Sequence, residues 1–334
     1  MPTGRLRARR RSGYRPIFDT QGGGGGGGGD GRIGLIFDLP LLDSGSGAVN
    51  TAVSYSVGSG TPTFTRATVA WTKLSTGLWA SVASGTARSC YLGADTAVGA
   101  YGGYFAEGAG TQLVTPTASI RDMTDASWVK VTTTAAKNAT GIDGVGNSAS
   151  TLTATGANST ILQTLVAAAS SRTYSAFVRR KTGTGTVLLL QGTASNDITA
   201  EINSTTYTRV ELNDNELNVA FGFQINTSGD EIEVDFNQFE AGAIATSPMA
   251  SAGAARNADA LSYVVSGNIL ESEGSVYTEV ARVTTSADAF AIALGTVTGA
   301  NRQVVRFTSS TVVNTFDGTN NPNVTITAVP IYTV

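Results

Sequence analysis

Eight short runs of β-branched, aromatic and small residues fill the middle of the chain at nearly even spacing. They are Trp128–Thr133, Ser150–Thr155, Ser159–Thr164, Arg172–Arg180, Thr186–Gln191, Tyr207–Leu212, Leu217–Ile225 and Glu231–Glu240. Gly, Ser, Thr and Asn punctuate the gaps. Runs of this kind read as strands, and the turn residues recur too often for a helix to propagate. Eight such strands in about 140 residues predict an antiparallel sandwich or jelly roll. Composition points the same way. The 334 residues include 40 glycines and only 14% charged side chains, against about a quarter in an average domain. Frequent Gly disfavours helix, and β-branched residues stiffen extended backbone.

The fold class expected for the whole chain is therefore all-β, with tandem antiparallel β-sandwich or jelly-roll domains. Residues 32–114 read as a small N-terminal β domain, with strand candidates Ala52–Val57, Thr63–Trp71, Leu78–Ala83, Cys90–Leu92 and Gly103–Phe105. Residues 115–255 form the jelly roll. Tyr101–Trp128 and Asp235–Pro248 read as its opening and closing stretches. Residues 256–334 begin a further β domain, with candidates Ala260–Val265, Ser275–Val283, Phe290–Ala293, Arg302–Thr308, Val312–Phe316 and Val324–Ile331. At about 78 residues it is small for a complete sandwich. Either a neighbouring chain finishes its sheet or the sequence stops short of a natural end.

The N-terminus differs in kind. Residues 1–16 hold six arginines and no acid; setting those six aside leaves 16 basic against 25 acidic residues, a net charge of −9. A cationic peptide, residues 1–21, is thus joined to an acidic body. It has too little apolar surface to order itself and is expected to order on a partner. Residues 22–31 form a Gly-rich linker built on the octaglycine Gly22–Gly29. A Gly chain of that length spans about 15–17 Å on average and acts as a swivel. Arg32–Leu42 is apolar and suits a first strand or a packing plug.

Several function classes are disfavoured. Histidine is absent, which removes the commonest general base and metal ligand and every histidine-based triad. One cysteine, Cys90, allows neither an intrachain disulfide framework nor a multi-cysteine zinc site. Apolar runs such as Val187–Leu190 fall far short of the roughly 20 residues of a membrane span. The glycines precede no Gly-Lys-Ser/Thr motif, so they form no phosphate loop.

A resemblance rests on six short motifs in order. Thr63-Phe-Thr-Arg-Ala-Thr-Val-Ala is similar to a TFTRAS-type opening. Tyr101–Val114 and Asp125-Ala-Ser-Trp128 resemble the two stretches that follow it. Asp143–Thr155, Tyr174-Ser-Ala-Phe-Val-Arg and Phe236–Pro248 come next, the last of the six followed by Ala255-Arg-Asn-Ala-Asp259 in place of a closing TRAAD. Over residues 60–262 the chain resembles virion appendage proteins of tailed bacteriophages, of the tail-fibre or head-spike type. It departs from them at Ala109-Gly-Thr-Gln-Leu, where an arginine is lost. The resemblance implies a carbohydrate-binding-like jelly roll, the start of a concanavalin-like lectin domain, and no enzyme activity. It also implies a homotrimer in a virion assembled in the host cytoplasm, bound to other virion proteins of tail, neck or capsid. Its target would be a host cell-surface polysaccharide. No membrane is implied as a partner, and the acidic body argues against nucleic acid.

The site candidates follow. Arg5, Arg7, Arg9, Arg10, Arg11, Tyr14, Arg15, Ile17 and Phe18 would anchor the chain to the particle. The arginines would meet carboxylates and the apolar side chains would fill pockets. Phosphate binding by the same arginines is the competing reading. Trp71 and Trp79 could stack on sugar rings, or pack in a core; Trp128 reads as core. No catalytic residues are assigned. In Asp230–Asp235, alternation places Glu231, Glu233 and Asp235 on a solvated face and turns Ile232, Val234 and Phe236 inward. No cofactor is required, although Asp143–Asn147 could form a Ca2+ loop. The expected function is a structural phage protein, anchored by its N-terminal peptide, that presents β-sandwiches for glycan attachment. A capsid head fibre or decoration protein is the alternative, and a polysaccharide depolymerase a further one.

Overall fold

A computed structural model describes residues 61, 63–92, 100–251, 253, 255–262, 289–294, 303–307, 312–316 and 323–325. The arginine-rich peptide with all its anchoring candidates, the octaglycine, Arg32–Leu42, Ala52–Val57 and Ser275–Val283 lie outside the described residues.

Every long element described is a strand. The chain first forms β1 (Thr63–Thr65), β2 (Ala70–Lys73), β3 (Trp79–Val82), β4 (Ser89–Leu92), β5 (Ala100–Tyr104) and β6 (Gly110–Thr111). Ten strands of the sandwich follow: β7 (Val129–Val131), β8 (Thr133–Ala139), β9 (Ala149–Ala154), β10 (Ser159–Thr164), β11 (Ser170–Thr182), β12 (Val187–Gln191), β13 (Ala194–Asp197), β14 (Thr208–Glu216), β15 (Ala220–Ile225) and β16 (Glu231–Ala241). Then come β17 (Ala255–Arg256) and β18 (Ala260–Ser262), and a four-stranded antiparallel sheet of β19 (Ala289–Leu294), β20 (Gln303–Phe307), β21 (Val312–Phe316) and β22 (Asn323–Thr325).

The sandwich has two five-stranded antiparallel sheets, ordered β14-β11-β16-β9-β8 and β13-β12-β15-β10-β7. Within them β9 pairs β16, β10 pairs β15, β11 pairs β14 and β12 pairs β13. These four nested pairs are those of one long hairpin folded across two sheets, which is the jelly-roll pattern. Its tip is the two-residue turn Gly192-Thr193, where Gly192 sits at φ +59°. A hairpin turn this tight favours a positive φ there, which glycine adopts without a steric penalty.

The core lies between the sheets. Tyr174 of β11 meets Phe221 and Phe223 of β15, and Phe221 stacks on Phe239 of β16 at 4.3 Å between ring centroids. The Tyr174 hydroxyl, fully buried, donates to Asn237 Oδ1 at 2.7 Å. Trp128 is buried against Phe221, with its indole N–H on the Ser119 carbonyl. The same core includes Trp79, Phe105 and Val114 from earlier in the chain.

Two expected strands divide, each for a local reason. Trp128–Thr133 breaks at Thr132, whose φ is +50°, and the chain passes there from one sheet to the other. Thr63–Trp71 breaks at Arg66, whose guanidinium turns into a buried ion cluster. Tyr101–Trp128 and Asp235–Pro248 do meet, through a bridge between Gln112 and Glu240 and a Leu113 N–H on the Phe239 carbonyl. Among the described residues, no helix is long and apolar enough to cross a membrane.

Candidate functional site

The outer face of the β14-β11-β16-β9-β8 sheet carries most of the sandwich's charge, and β16 organises it. Ile232 and Val234 are buried as alternation requires. A bulge then opposes Asp235–Gln238 to Ser175–Phe177, with Phe236 at φ +46°. The extra residue shifts the parity of the strand. Asn237 and Phe239 now face the core. Phe236 meets Trp71 instead, edge-on at 4.8 Å between centroids. Phe236 is buried in the core as expected, although against Trp71 rather than between the sheets, and the solvated position expected for Asp235 is corrected, since it is fully buried.

Asp235 is ionically matched. Arg121 donates from Nε to its Oδ1 at 2.7 Å and from Nη2 to its Oδ2 at 2.9 Å. The same guanidinium donates to Asp143 at 2.7 and 3.0 Å and to Ser148 Oγ at 2.8 Å, and it lies 4.4 Å from the Phe236 ring centroid. The Ile142 N–H donates to Asp235 Oδ2. Burial pushes the Asp235 carboxyl up, and Arg121 only partly offsets it. Asp143 is also penalised by burial, but Arg121 prevails and holds it below the ordinary carboxylate range.

The proposed calcium loop therefore has a different centre. Its only carboxylate, Asp143, is spent on Arg121 and on the Val145 N–H. A guanidinium occupies the role a cation would have filled. Among the described residues, no cluster of three or more acidic, Cys or His side chains could hold a metal. Of the other β16 carboxylates, Glu233 pairs with Arg179 and Glu231 with Lys181 at 3.2 Å, while Glu240 is buried and accepts from the Thr246 N–H and hydroxyl at 2.8 and 2.7 Å.

Beside this network lies a shallow cleft of about 180 Å³, lined by Leu78, Thr140, Ile142, Arg179, Thr206 and Tyr207 among others. Tyr207 closes its floor, donating its hydroxyl to the Thr140 carbonyl at 2.9 Å beneath the Arg179 guanidinium. Burial and the nearby Glu233 push the Tyr207 phenol far up, so it stays a hydrogen-bond donor. The cleft is smaller than typical ligand pockets, which begin near 300 Å³.

The tryptophans do not line this cleft. Trp79 is 1% exposed and packs edge-on against Phe177 at 5.5 Å, while its N–H donates to the Ile142 carbonyl from the backbone. It offers no face to a sugar, which corrects that candidate role. Trp79→Ala is expected to destabilise the fold by about 3–5 kcal/mol, as large-to-small core changes do; urea denaturation would measure it. Trp71 is half-buried on Phe236.

Sequence reasoning missed a second charged cluster. Asp259 accepts from Arg66 Nη1 and from Arg88 Nη2, both at 2.7 Å. Arg88 Nη2 also reaches Glu107 at 2.6 Å, and Arg256 lies 3.5 Å from the same carboxylate. All three arginines are buried, and Glu107 accepts from the Ser247 N–H. Burial opposes ionisation of Glu107, but Arg88 and Arg256 outweigh it and hold the group low. Two backbone pairings flank the cluster: β1 with β18, and β6 with β17. The signal was present, since Arg66 and Asp259 belong to the first and last of the ordered motifs; only their contact was hidden.

In comparisons with known proteins, neither a family model nor a curated protein matches the chain.

Proposed function

We propose that this chain is a structural appendage protein of a tailed-phage particle. Its arginine-rich peptide anchors it to the particle, and the jelly roll faces a host-surface polysaccharide. The chain works as a homotrimer and as an attachment protein rather than an enzyme. One observation carries the reading: the ordered motifs that resemble appendage proteins have a joint structural meaning. The first supplies Arg66 and the last supplies Arg256 and Asp259, and these meet in one buried ion cluster. At Arg66 and Asp259 the first and last matched stretches lie 193 residues apart in sequence, and their meeting supports reading them as parts of one unit. The charged outer sheet face, with its shallow cleft at Tyr207 and Arg179, is the surface we assign to glycan contact.

The test uses the full chain and particles from the lysate in which it is made, separated into heads and tails. Binding to tails or necks, lost when Arg5, Arg7, Arg9, Arg10 and Arg11 become alanine, is expected. Binding to heads alone would replace the tail-fibre reading with a capsid decoration protein. Binding to neither would end the anchor reading.

A further inference from the structure

A short stem closes off the jelly roll. Thr63, Phe64 and Thr65 are the register partners of Ser262, Leu261 and Ala260. The residues just inside this ladder are Arg66 and Asp259, and their side chains form a buried ion pair. Their backbones separate at that point. The Arg66 carbonyl accepts from the Gly85 N–H at 2.7 Å, and the Asp259 N–H donates to the Glu107 carbonyl at 2.9 Å. The ion pair therefore stands at the fork where the two strands diverge. Further closures follow in nested order: Gly110 and Thr111 face Arg256 and Ala255, and Gln112 bridges Glu240. Strands β7 to β15 lie inside the last closure, and β16 ends at it.

This topology sets how tension passes through the chain. Thr63 and Ser262 stand at the same end of the ladder. Pulling the chain before Thr63 away from the chain after Ser262 therefore separates the pairs one at a time, rather than shearing them together. Neither β1 nor β18 buries a residue, and a two-stranded ribbon of this kind is marginal in water. The next rung is different. Opening it strips Asp259 from Arg66, from Arg88 and from the Glu107 N–H at once. Arg88 in turn holds the Trp71 carbonyl and Ser247 Oγ, and Arg66 holds the Val82 and Ala83 carbonyls. One carboxylate thus ties together the segments around residues 66, 88, 107 and 259. Parting a buried charge from its partners costs several times as much as parting an exposed pair.

We propose that Arg66, Asp259 and Arg88 form a mechanical latch. It takes up tension between the segment before Thr63 and the segment after Ser262, and it leaves the jelly roll as an unloaded side branch. Force reaches the jelly roll only after the latch, the β6–β17 pair and the Gln112 bridge have opened in turn. This inference stands apart from the attachment reading; it needs only the register and the ion cluster.

The test is optical trapping of the full chain with DNA handles on Thr61→Cys and Ser262→Cys, with Cys90 replaced by serine in every protein. Two steps are expected: a first that opens the stem, and a second, longer one that unfolds the jelly roll. Asp259→Ala is expected to speed the first step at fixed force by about a hundredfold, as loss of a buried ionic partner does, and to leave the second unchanged. Handles moved to Val145→Cys and Thr193→Cys load the jelly roll directly. With them, Asp259→Ala is expected to leave the unfolding rate as it was. The parent chain decides the order of events whether or not the variant folds, and a single step that releases stem and jelly roll together would overturn the latch. An unchanged first step in Asp259→Ala would overturn it too. So would equal acceleration from both pairs of handles, which is the mark of a general loss of stability.

Discussion

Asp259→Ala is expected to lower unfolding stability by about 3–5 kcal/mol, the usual loss when one partner of a buried ion pair is removed. The reason lies in the balance of the cluster. Among the described residues, Arg66, Arg88 and Arg256 face two carboxylates, Asp259 and Glu107. Removing Asp259 leaves three buried guanidinium groups against one acid. It also removes the acceptor of the Glu107 N–H. Asp259→Asn retains the shape and one acceptor, so it is expected to lose less. Urea denaturation of the full chain would measure both. A change below about 1 kcal/mol for the alanine variant, the range of exposed ion pairs, would mean that water reaches the cluster. Proteolysis offers a second readout. Because β1 pairs β18 at this cluster, cleavage near Thr63–Thr65 is expected to accelerate in the alanine variant before the jelly roll itself is cut.

Arg121→Leu is expected to have an effect of similar size, with an inverted dependence on pH. The leucine leaves Asp235, fully buried, without its ionic partner, and a loss of about 3–5 kcal/mol at neutral pH follows. Asp235 is already raised with Arg121 present, and without it the carboxyl rises further. A group whose folded value lies above its unfolded value contributes stability below the unfolded value and loses it as pH rises through the folded one. The variant is therefore expected to gain stability as pH falls from neutral towards the ordinary aspartate value. The parent chain is expected to go the other way over the lowest part of the range. Glu107 and Asp143 are held below their ordinary values, so their contribution is present above those values and is lost as pH falls through the folded ones. Thermal denaturation at several pH values would separate the two. A parallel fall of both proteins with acid would show that Asp235 is not the group that governs the variant.

Most of the fold was legible as strands, and the errors share one character. Ser159–Thr164 and Val312–Phe316 coincide with β10 and β21, because alternation and flanking turn residues mark both ends. Ala194–Asp197 was passed over; Ala-Ser-Asn-Asp has no apolar alternation, and it is a strand only because β12 pairs with it. The site was less legible. Alternation predicted the burial of Ile232, Val234 and Phe236 correctly and failed at Asp235, expected in solvent and fully buried; beyond it, one extra residue in a bulge reverses the side chains. Asp143 was read as a cation ligand, and a cation does sit beside it, but it is the side chain of Arg121, 22 residues away.

The sequence alone determined that this chain builds sheets. Its glycines, β-branched residues and short periodic runs are local properties, and local properties select extended backbone and turns. Low charge, absent histidine and the basic N-terminal peptide are likewise matters of composition. Only the tertiary structure decided which strands became neighbours, that the chain nests as one folded hairpin, and where the buried charges meet. Arg66 and Asp259 stand 193 residues apart, and no local rule links them. Their pairing is set by the cost of burying a charge without its opposite, a cost that arises only once the sheets have closed.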